Sequence, residues 1–211
     1  MRDCFLCAPD PALVYAANAA AFALCGLGPI VNGYSLVATR EHTRSCADSA
    51  ARNGELIPFT QSVRNILSDR YGPCLLSEHG RLPTCIRPTA ADGHCFHAHF
   101  LLFPGSPDIA EQAQTHFAEV VLASTLKTAL TIARKQKEYF LLSPNPDRYF
   151  VMTRPGRLIR QFARLLVAEA IGHPELANWE RHPEKKKAEA DAAALCQVVP
   201  EAIQTSWKQR K

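Results

Sequence analysis

Short apolar segments separated by turn residues predict strands along the first half of the chain. Residues 13–15 and 20–24 form one pair, and residues 34–38 follow a connection rich in glycine, proline and asparagine. Residues 74–79 predict a further strand, and residues 93–104 predict another that ends at a proline.

Apolar residues three and four apart predict helices in three other places. The residues expected to face the core from these helices are, in chain order, Phe59, Val63, Ile66 and Leu67, then Ile109, Ala113, Phe117, Val120 and Val121, then Leu158, Phe162 and Leu165. Gly72 closes the first helix, and Ser106 with Pro107 starts the second. The third is expected from about residue 155 to residue 171.

The remaining segments complete the predicted fold. Residues 139–142 and 148–153 predict a hairpin, and the residues from 184 onward, rich in alanine, glutamate and lysine, predict a C-terminal helix. The order of elements predicts an α+β domain with a mainly antiparallel sheet flanked by helices, over residues 1–153. Residues 154–211 are expected to form a helical C-terminal extension packed on the same domain.

Composition and charge restrict the classes of function. The chain has 211 residues, 47% of them apolar, which is enough for one fairly large folded domain. A net charge of +4 suits anionic small-molecule substrates but is too small for a dedicated nucleic-acid binder, so we expect no nucleic-acid partner.

Two further features bear on location. Residues 11–39 carry no charge, but glycine, proline and asparagine interrupt them, so we predict strands there rather than a membrane span or a signal peptide. Eight cysteines with only one C-x-x-C pair indicate a reducing compartment rather than a disulfide framework. We therefore expect a cytoplasmic protein with no membrane partner.

The segment 93–104 carries the strongest chemical signal. Side chains alternate between the two faces of a strand, so one face here is apolar and the other presents His97, His99 and then Leu101. Two imidazoles on a half-buried strand need hydrogen-bond partners, which makes them costly unless they are used. Metal ligation and nucleophilic catalysis are the usual uses.

Several landmarks agree in type and order with one known superfamily. They are Cys4-x-x-Cys7, the pattern Gly-x-x-Leu-Val-x-x-x-x-His at 33–42, Glu78-His79-Gly80, His97-x-His99 in an apolar strand, and the segments 155–160, 172–174 and 179–181. In this combination the chain resembles the histidine-triad (HIT) superfamily of nucleotide hydrolases and transferases, from about residue 4 to residue 183. The resemblance implies a HIT-like sheet and leaves open whether a homodimer forms.

The resemblance also implies a mechanism. In that superfamily the middle histidine of the triad attacks phosphorus and forms a nucleotidyl-histidine, which water or an acceptor then resolves. This role falls on His99. The substrate is then a nucleotide or another phosphorylated small molecule, and the expected donors to its phosphate are the backbone N–H of Gly93, His94 and Arg160.

A stripe of arginines and one further histidine allow two interpretations each. Arg154, Arg157, Arg160 and Arg164 are spaced so that they share one face of the third predicted helix. They form either a solvated face or a phosphate clamp that adds Arg157 to the substrate-binding residues. His79 lies either near the catalytic face or in a structural hydrogen bond.

A zinc site is also implied by the resemblance, because some members carry similar Cys/His sets. Cys4, Cys7, His42 and His97 would form a closed Cys2His2 site with a structural role. The alternative is that both cysteines are ordinary thiols and that His42 caps a strand end.

The sequence departs from the superfamily pattern at three places. Leu101 stands where the third histidine is expected, and His94-Cys95-Phe96 replaces the usual lead-in after Gly93. Gly26, or its neighbour Cys25, stands where an aspartate often binds ribose. The alternatives to a hydrolase or transferase are thus a non-catalytic nucleotide- or metabolite-binding protein, and a pathway enzyme with altered chemistry.

Overall fold

One antiparallel sheet organises the computed structural model, which describes residues 4–82, 97–156 and 158–203. Across the sheet, the eight strands of the described residues follow the order β1-β2-β3-β5-β4-β7-β8-β6. Their bounds are β1 Val14–Ala17, β2 Ala21–Cys25, β3 Ser35–Thr39, β4 Cys74–Glu78, β5 His99–Pro104, β6 Phe117–Ala123, β7 Phe140–Asn145 and β8 Arg148–Pro155.

Helices connect the strands and pack on the sheet. Those within the described ranges are α1 Cys46–Arg52, α2 Leu56–Tyr71, α3 Ala110–Gln114, α4 Leu126–Arg134, α5 Phe162–Ala170 and α6 Lys185–Cys196. Two short 3-10 turns, Pro174–Ala177 and Glu201–Ile203, flank α6. In the described part of the chain, no helix combines the length and apolarity needed to cross a bilayer.

Helices α2 and α5 cover opposite faces of the sheet. Phe162 of α5 packs edge-to-face on Phe140 of β7, with ring centroids 5.3 Å apart. Arg64 of α2 instead donates to Ser143, three residues along the same strand. Because side chains alternate along a strand, Phe140 and Ser143 point to opposite faces, and β7 lies between the two helices.

Most predicted elements are present. The strands at residues 13–24, 34–38 and 74–79, the hairpin of β7 and β8, and the helix closed by Gly72 are confirmed within a few residues. The predicted combination of an antiparallel sheet with helices, including a C-terminal one, is confirmed too. Helix α6 packs on β1 and β2, while the division into residues 1–153 and 154–211 stays a prediction.

The second predicted helix is wrong over most of its length. Helix α3 ends at Gln114, and Phe117–Ala123 forms the edge strand β6 on β8. Val120 and Val121 do not face a core, because β6 has a neighbour on one side only and its middle residues remain exposed. Helix α4, which begins after the capping side chain of Thr125, has no counterpart among the predicted elements.

The third predicted helix begins later than expected. Helix α5 starts at Phe162, and Arg154 belongs to β8, so the four arginines do not form one helical stripe. That interpretation is wrong because the segment after Pro155 leaves the sheet before the helix starts.

Candidate metal and histidine site

Four side chains from three separate parts of the chain meet beside the start of β5. The thiols of Cys4 and Cys7 and one ring nitrogen each of His42 and His97 all lie within 4.8 Å of one another, and this group can hold a metal ion. Sγ of Cys7 lies 3.0 Å from Nδ1 of His42 and 3.5 Å from Nδ1 of His97. Sγ of Cys4 lies 3.4 Å from the same nitrogen of His97.

Local structure explains how the four residues converge. A turn in which the Cys7 N–H donates to the Cys4 carbonyl brings the two thiols to one side. His42 follows the end of β3 and His97 precedes β5, and these strands are neighbours in the sheet. The N–H groups of Thr39 and Ala98 donate to the carbonyls of Ala98 and Thr43, which ties the two segments together.

The tautomer of His97 suits ligation. Its Nε2 lies 2.6 Å from the Thr39 carbonyl oxygen, which only accepts, so Nε2 carries the hydrogen. The lone pair is then on Nδ1, the nitrogen that faces both thiols. Metal-bound histidines commonly donate their other ring N–H to a backbone carbonyl in this way.

The two thiols are adjacent, with Cys4 buried and Cys7 exposed. Burial and the neighbouring Cys4 thiol raise the pKa of Cys7 to about 11, because two thiolates side by side repel each other. A cation between the sulfurs removes that repulsion and favours the ionised form of both.

His99 is the first residue of β5 and is fixed by its own chain. Its Nδ1 lies 2.7 Å from the His97 carbonyl oxygen, so Nδ1–H donates there and Nε2 is the other ring nitrogen. Burial lowers the pKa of His99 to about 4, and His79 contributes to this shift. Burial likewise lowers the pKa of His79 to about 4.

Glu78 anchors the end of β4, directly before His79. One carboxylate oxygen accepts from the Cys46 N–H at 2.7 Å, at the start of α1, and the other accepts from the Tyr139 hydroxyl at 2.8 Å. Gly80 has a positive φ of 53°, and a side chain there would collide with the Tyr139 carbonyl. The backbone around His79 is thus held from two sides.

We expect Glu78 to make stability depend on pH. Burial raises its pKa from 4.5 to about 7, so between these values the folded chain binds more protons than the unfolded chain. The free energy of unfolding should therefore fall as pH rises from about 4.5 to about 7, by about 3 kcal/mol for this group.

Urea denaturation of the wild type and Glu78→Gln at several pH values measures this effect. The difference between the two curves isolates Glu78 from the histidines and thiols, and the exposed Glu119→Gln serves as the matched control. Parallel curves for wild type and Glu78→Gln across this window would contradict the expectation.

Of the predicted phosphate donors, the described residues include Arg160. Gly93, His94 and Arg157 lie outside the described residues. Arg160 forms an ion pair with Glu180 at 3.0 Å. Leu101 is buried, with 6% of its surface exposed, and offers no donor.

Arg164, expected on a solvated face or in a clamp, is buried instead. Its guanidinium donates to the carbonyls of Gly28, Leu176 and Ala177 at 2.7–2.9 Å. It also stacks on the Tyr34 ring at 4.9 Å. Arg164 therefore joins α5 to the sheet and to the following 3-10 turn.

The predicted resemblance aligns Gly26, or its neighbour Cys25, with an aspartate, and the surroundings of Gly26 leave no room for a side chain. A side chain added at Gly26 would collide with the Tyr34 ring and with Leu36. Tyr34 in turn stacks on Phe103 of β5, with ring centroids 5.0 Å apart. The space beside Gly26 is thus filled by an aromatic ring.

Two contributors to the site were not predicted from the sequence. The Thr39 carbonyl sets the tautomer of His97, and no sequence signal marks one carbonyl among many. The Tyr139 hydroxyl fixes Glu78 from a distant strand, which only the strand order reveals. Compared with protein-family models and with curated proteins, the chain matches none.

Proposed function

We propose that this chain is a zinc-containing, HIT-like nucleotide hydrolase or nucleotidyltransferase that uses His99 as its nucleophile. The observation that carries the proposal is the 2.7 Å hydrogen bond from His99 Nδ1 to the His97 carbonyl, beside a cluster of two thiols and two imidazoles. This bond fixes the ring and leaves Nε2 as the nitrogen with the attacking lone pair.

The donor set supports zinc as the metal. Bonds of about 2.3 Å to sulfur and 2.0–2.1 Å to nitrogen in a tetrahedron separate a sulfur from a nitrogen by about 3.6 Å. Three of the four sulfur–nitrogen separations, at 3.0–3.5 Å, are close to this value. Two thiols with two imidazoles are also a usual structural zinc set. When bound, zinc would supply a fixed positive charge that joins the N-terminal turn to the His97 segment.

The chemistry proceeds in two displacements. The Nε2 lone pair of His99 attacks phosphorus, an N–P bond forms, and the P–O bond to the leaving group breaks with its electron pair on the leaving oxygen. A water or acceptor oxygen then attacks the same phosphorus, the N–P electrons return to Nε2, and the proton of the incoming oxygen passes to solvent. The His97 carbonyl accepts from Nδ1–H throughout.

Trapping the covalent intermediate tests the proposal. The purified chain is incubated with nucleotides labelled at the α-phosphate and quenched in alkaline denaturant, because phosphohistidine is acid-labile. We expect label on His99 of the wild type and none in His99→Ala. The exposed His173, which pairs with Glu175, provides the matched control His173→Ala, which should label like the wild type.

The buried Leu101 favours a second candidate, a non-catalytic HIT-like protein that binds a nucleotide or metabolite. Leucine lacks the donor that the third histidine would bring, and loss of one such donor costs roughly 10²–10³ in rate in other enzymes. A folded, metal-loaded wild type that stays unlabelled over a broad nucleotide panel, yet binds one of those nucleotides, would favour this candidate.

A further inference from the structure

The pairing of β4 with β5 brings a second imidazole next to His99. Ser77 of β4 lies opposite Leu101 of β5, and the strands run antiparallel. Continuing this register by two residues places His79 opposite His99. On the other side, Ser77 lies opposite Leu142 of β7, and the same continuation places His79 opposite Phe140.

A ring contact supports this continuation. The His79 ring lies 5.8 Å from the Phe140 ring, centroid to centroid, as expected for residues opposite each other. Side chains two residues apart share a face, so His79 shares the face of Ser77, and His99 shares the face of Leu101. The two imidazoles therefore lie on one face, with Cβ atoms about 4.5–5.5 Å apart.

The two histidines are more exposed than their neighbours on this face, although Nε2 of His79 itself is enclosed. Ser77, Leu101 and Phe140 are buried, whereas His79 and His99 are only half-buried. The pair is thus the partly exposed portion of this face of β4 and β5. A neutral imidazole has one N–H donor besides its lone pair.

We infer that His79 is a catalytic residue that donates a hydrogen bond to a non-bridging oxygen of the phosphoryl group attacked by His99. It would supply, from the neighbouring strand, the donor that Leu101 lacks. The inference rests on the proposed function and concerns the same phosphorylated substrates. Rigid placement suits the role, because Glu78 and Gly80 hold the backbone on either side of His79.

Two variants of similar size distinguish the loss of the hydrogen-bond donor at His79 from a loss of side-chain packing. His79→Leu removes the donor, and His79→Gln keeps an N–H donor. In single-turnover labelling, we expect His79→Leu to slow the phosphorylation of His99 by roughly 10²–10³-fold, and His79→Gln to recover most of that rate. Melting temperature and metal content should match in the two variants, which a purely structural role for the imidazole would not predict.

A binding measurement on the unmodified chain makes the test independent of both variants. Inorganic phosphate is added to ¹⁵N-histidine-labelled wild type, and the ring N–H resonance of His79, assigned through its backbone, should shift with saturation. The same titration of His99→Ala should still shift the His79 resonance.

The outcomes separate this inference from the proposed function. If His79→Leu labels His99 as fast as the wild type does, the role of His79 is overturned and the proposed function stands. A wild type that forms no adduct, yet shifts the His79 resonance with phosphate, overturns the proposed function and the catalytic role of His79 with it, and supports only the hydrogen bond from His79 to phosphate. A wild type that does neither overturns both.

Discussion

Replacing Cys4 and Cys7 together by serine is expected to abolish metal binding and to lower the melting temperature by roughly 10 °C. Free zinc at a thousand times its dissociation constant stabilises the folded state that binds it by about 4 kcal/mol. For a chain of this size, each kcal/mol corresponds to roughly 2–4 °C. Serine hydroxyls do not replace thiolates as zinc ligands, so the variant should lose this contribution.

Metal analysis and thermal unfolding measure the effect. The wild type should carry close to one equivalent of zinc, and a chelator should lower its melting temperature to near that of the double variant. The double variant itself should not respond to the chelator. Cys196→Ser provides the control, since Cys196 is a half-buried cysteine on α6, outside the cluster, and this variant should keep its metal.

Two results would rule out this ligand set. One is a stoichiometric metal content that survives the double substitution. The other is a wild type that binds no zinc even when it is refolded with excess metal. Because the carbonyl of His97 positions His99, metal loss should also slow the labelling of His99.

The cluster was predicted from the resemblance, together with local signatures at Cys4, Cys7 and His97. A C-x-x-C spacing lets one turn present two thiols, and His97 lies in an apolar segment where an unused imidazole would be costly. The role of His99 was predicted from the resemblance, and its hydrogen bond to the His97 carbonyl was not, because the sequence carries no information on which carbonyl a ring will meet.

The wrong helix prediction shows where a periodic pattern is ambiguous. Ala113, Phe117, Val120 and Val121 are spaced as on a helix, but Val120, Val121 and Leu122 also form a run of consecutive apolar residues. Pairing with β8 decides in favour of a strand, and that pairing lies about thirty residues further along the chain. Local spacing contains no information about it.

The burial of the Arg164 guanidinium could not be predicted from the sequence either. Arg164 was placed among solvated or phosphate-binding arginines, yet three backbone carbonyls from two segments take up its donors. Arginine is seldom fully buried, so the ordinary expectation from sequence is exposure. Only the way in which α5 packs on the Gly28 turn reveals a role in holding the fold together.

Arg64 is the second buried guanidinium, and truncating it is expected to cost about 3–5 kcal/mol of unfolding free energy. Its Nε donates to the Cys74 carbonyl at 2.8 Å, and its two Nη atoms donate to the carbonyl and hydroxyl of Ser143 at 2.9 Å.

Urea denaturation of Arg64→Ala, Arg64→Lys and Arg70→Ala tests this account. Arg64→Ala leaves buried carbonyls without donors and opens a cavity between α2 and the sheet, so its loss should be the largest. Arg64→Lys keeps a donor but not the planar fork, and should lose part of the stability. Arg70, exposed at the end of the same helix, is the matched control and should change stability by no more than about 0.5 kcal/mol. If Arg64→Met proved as stable as the wild type, the cost of burying the guanidinium would cancel its hydrogen bonds, and Arg64 would not stabilise the packing of α2 on the sheet through them.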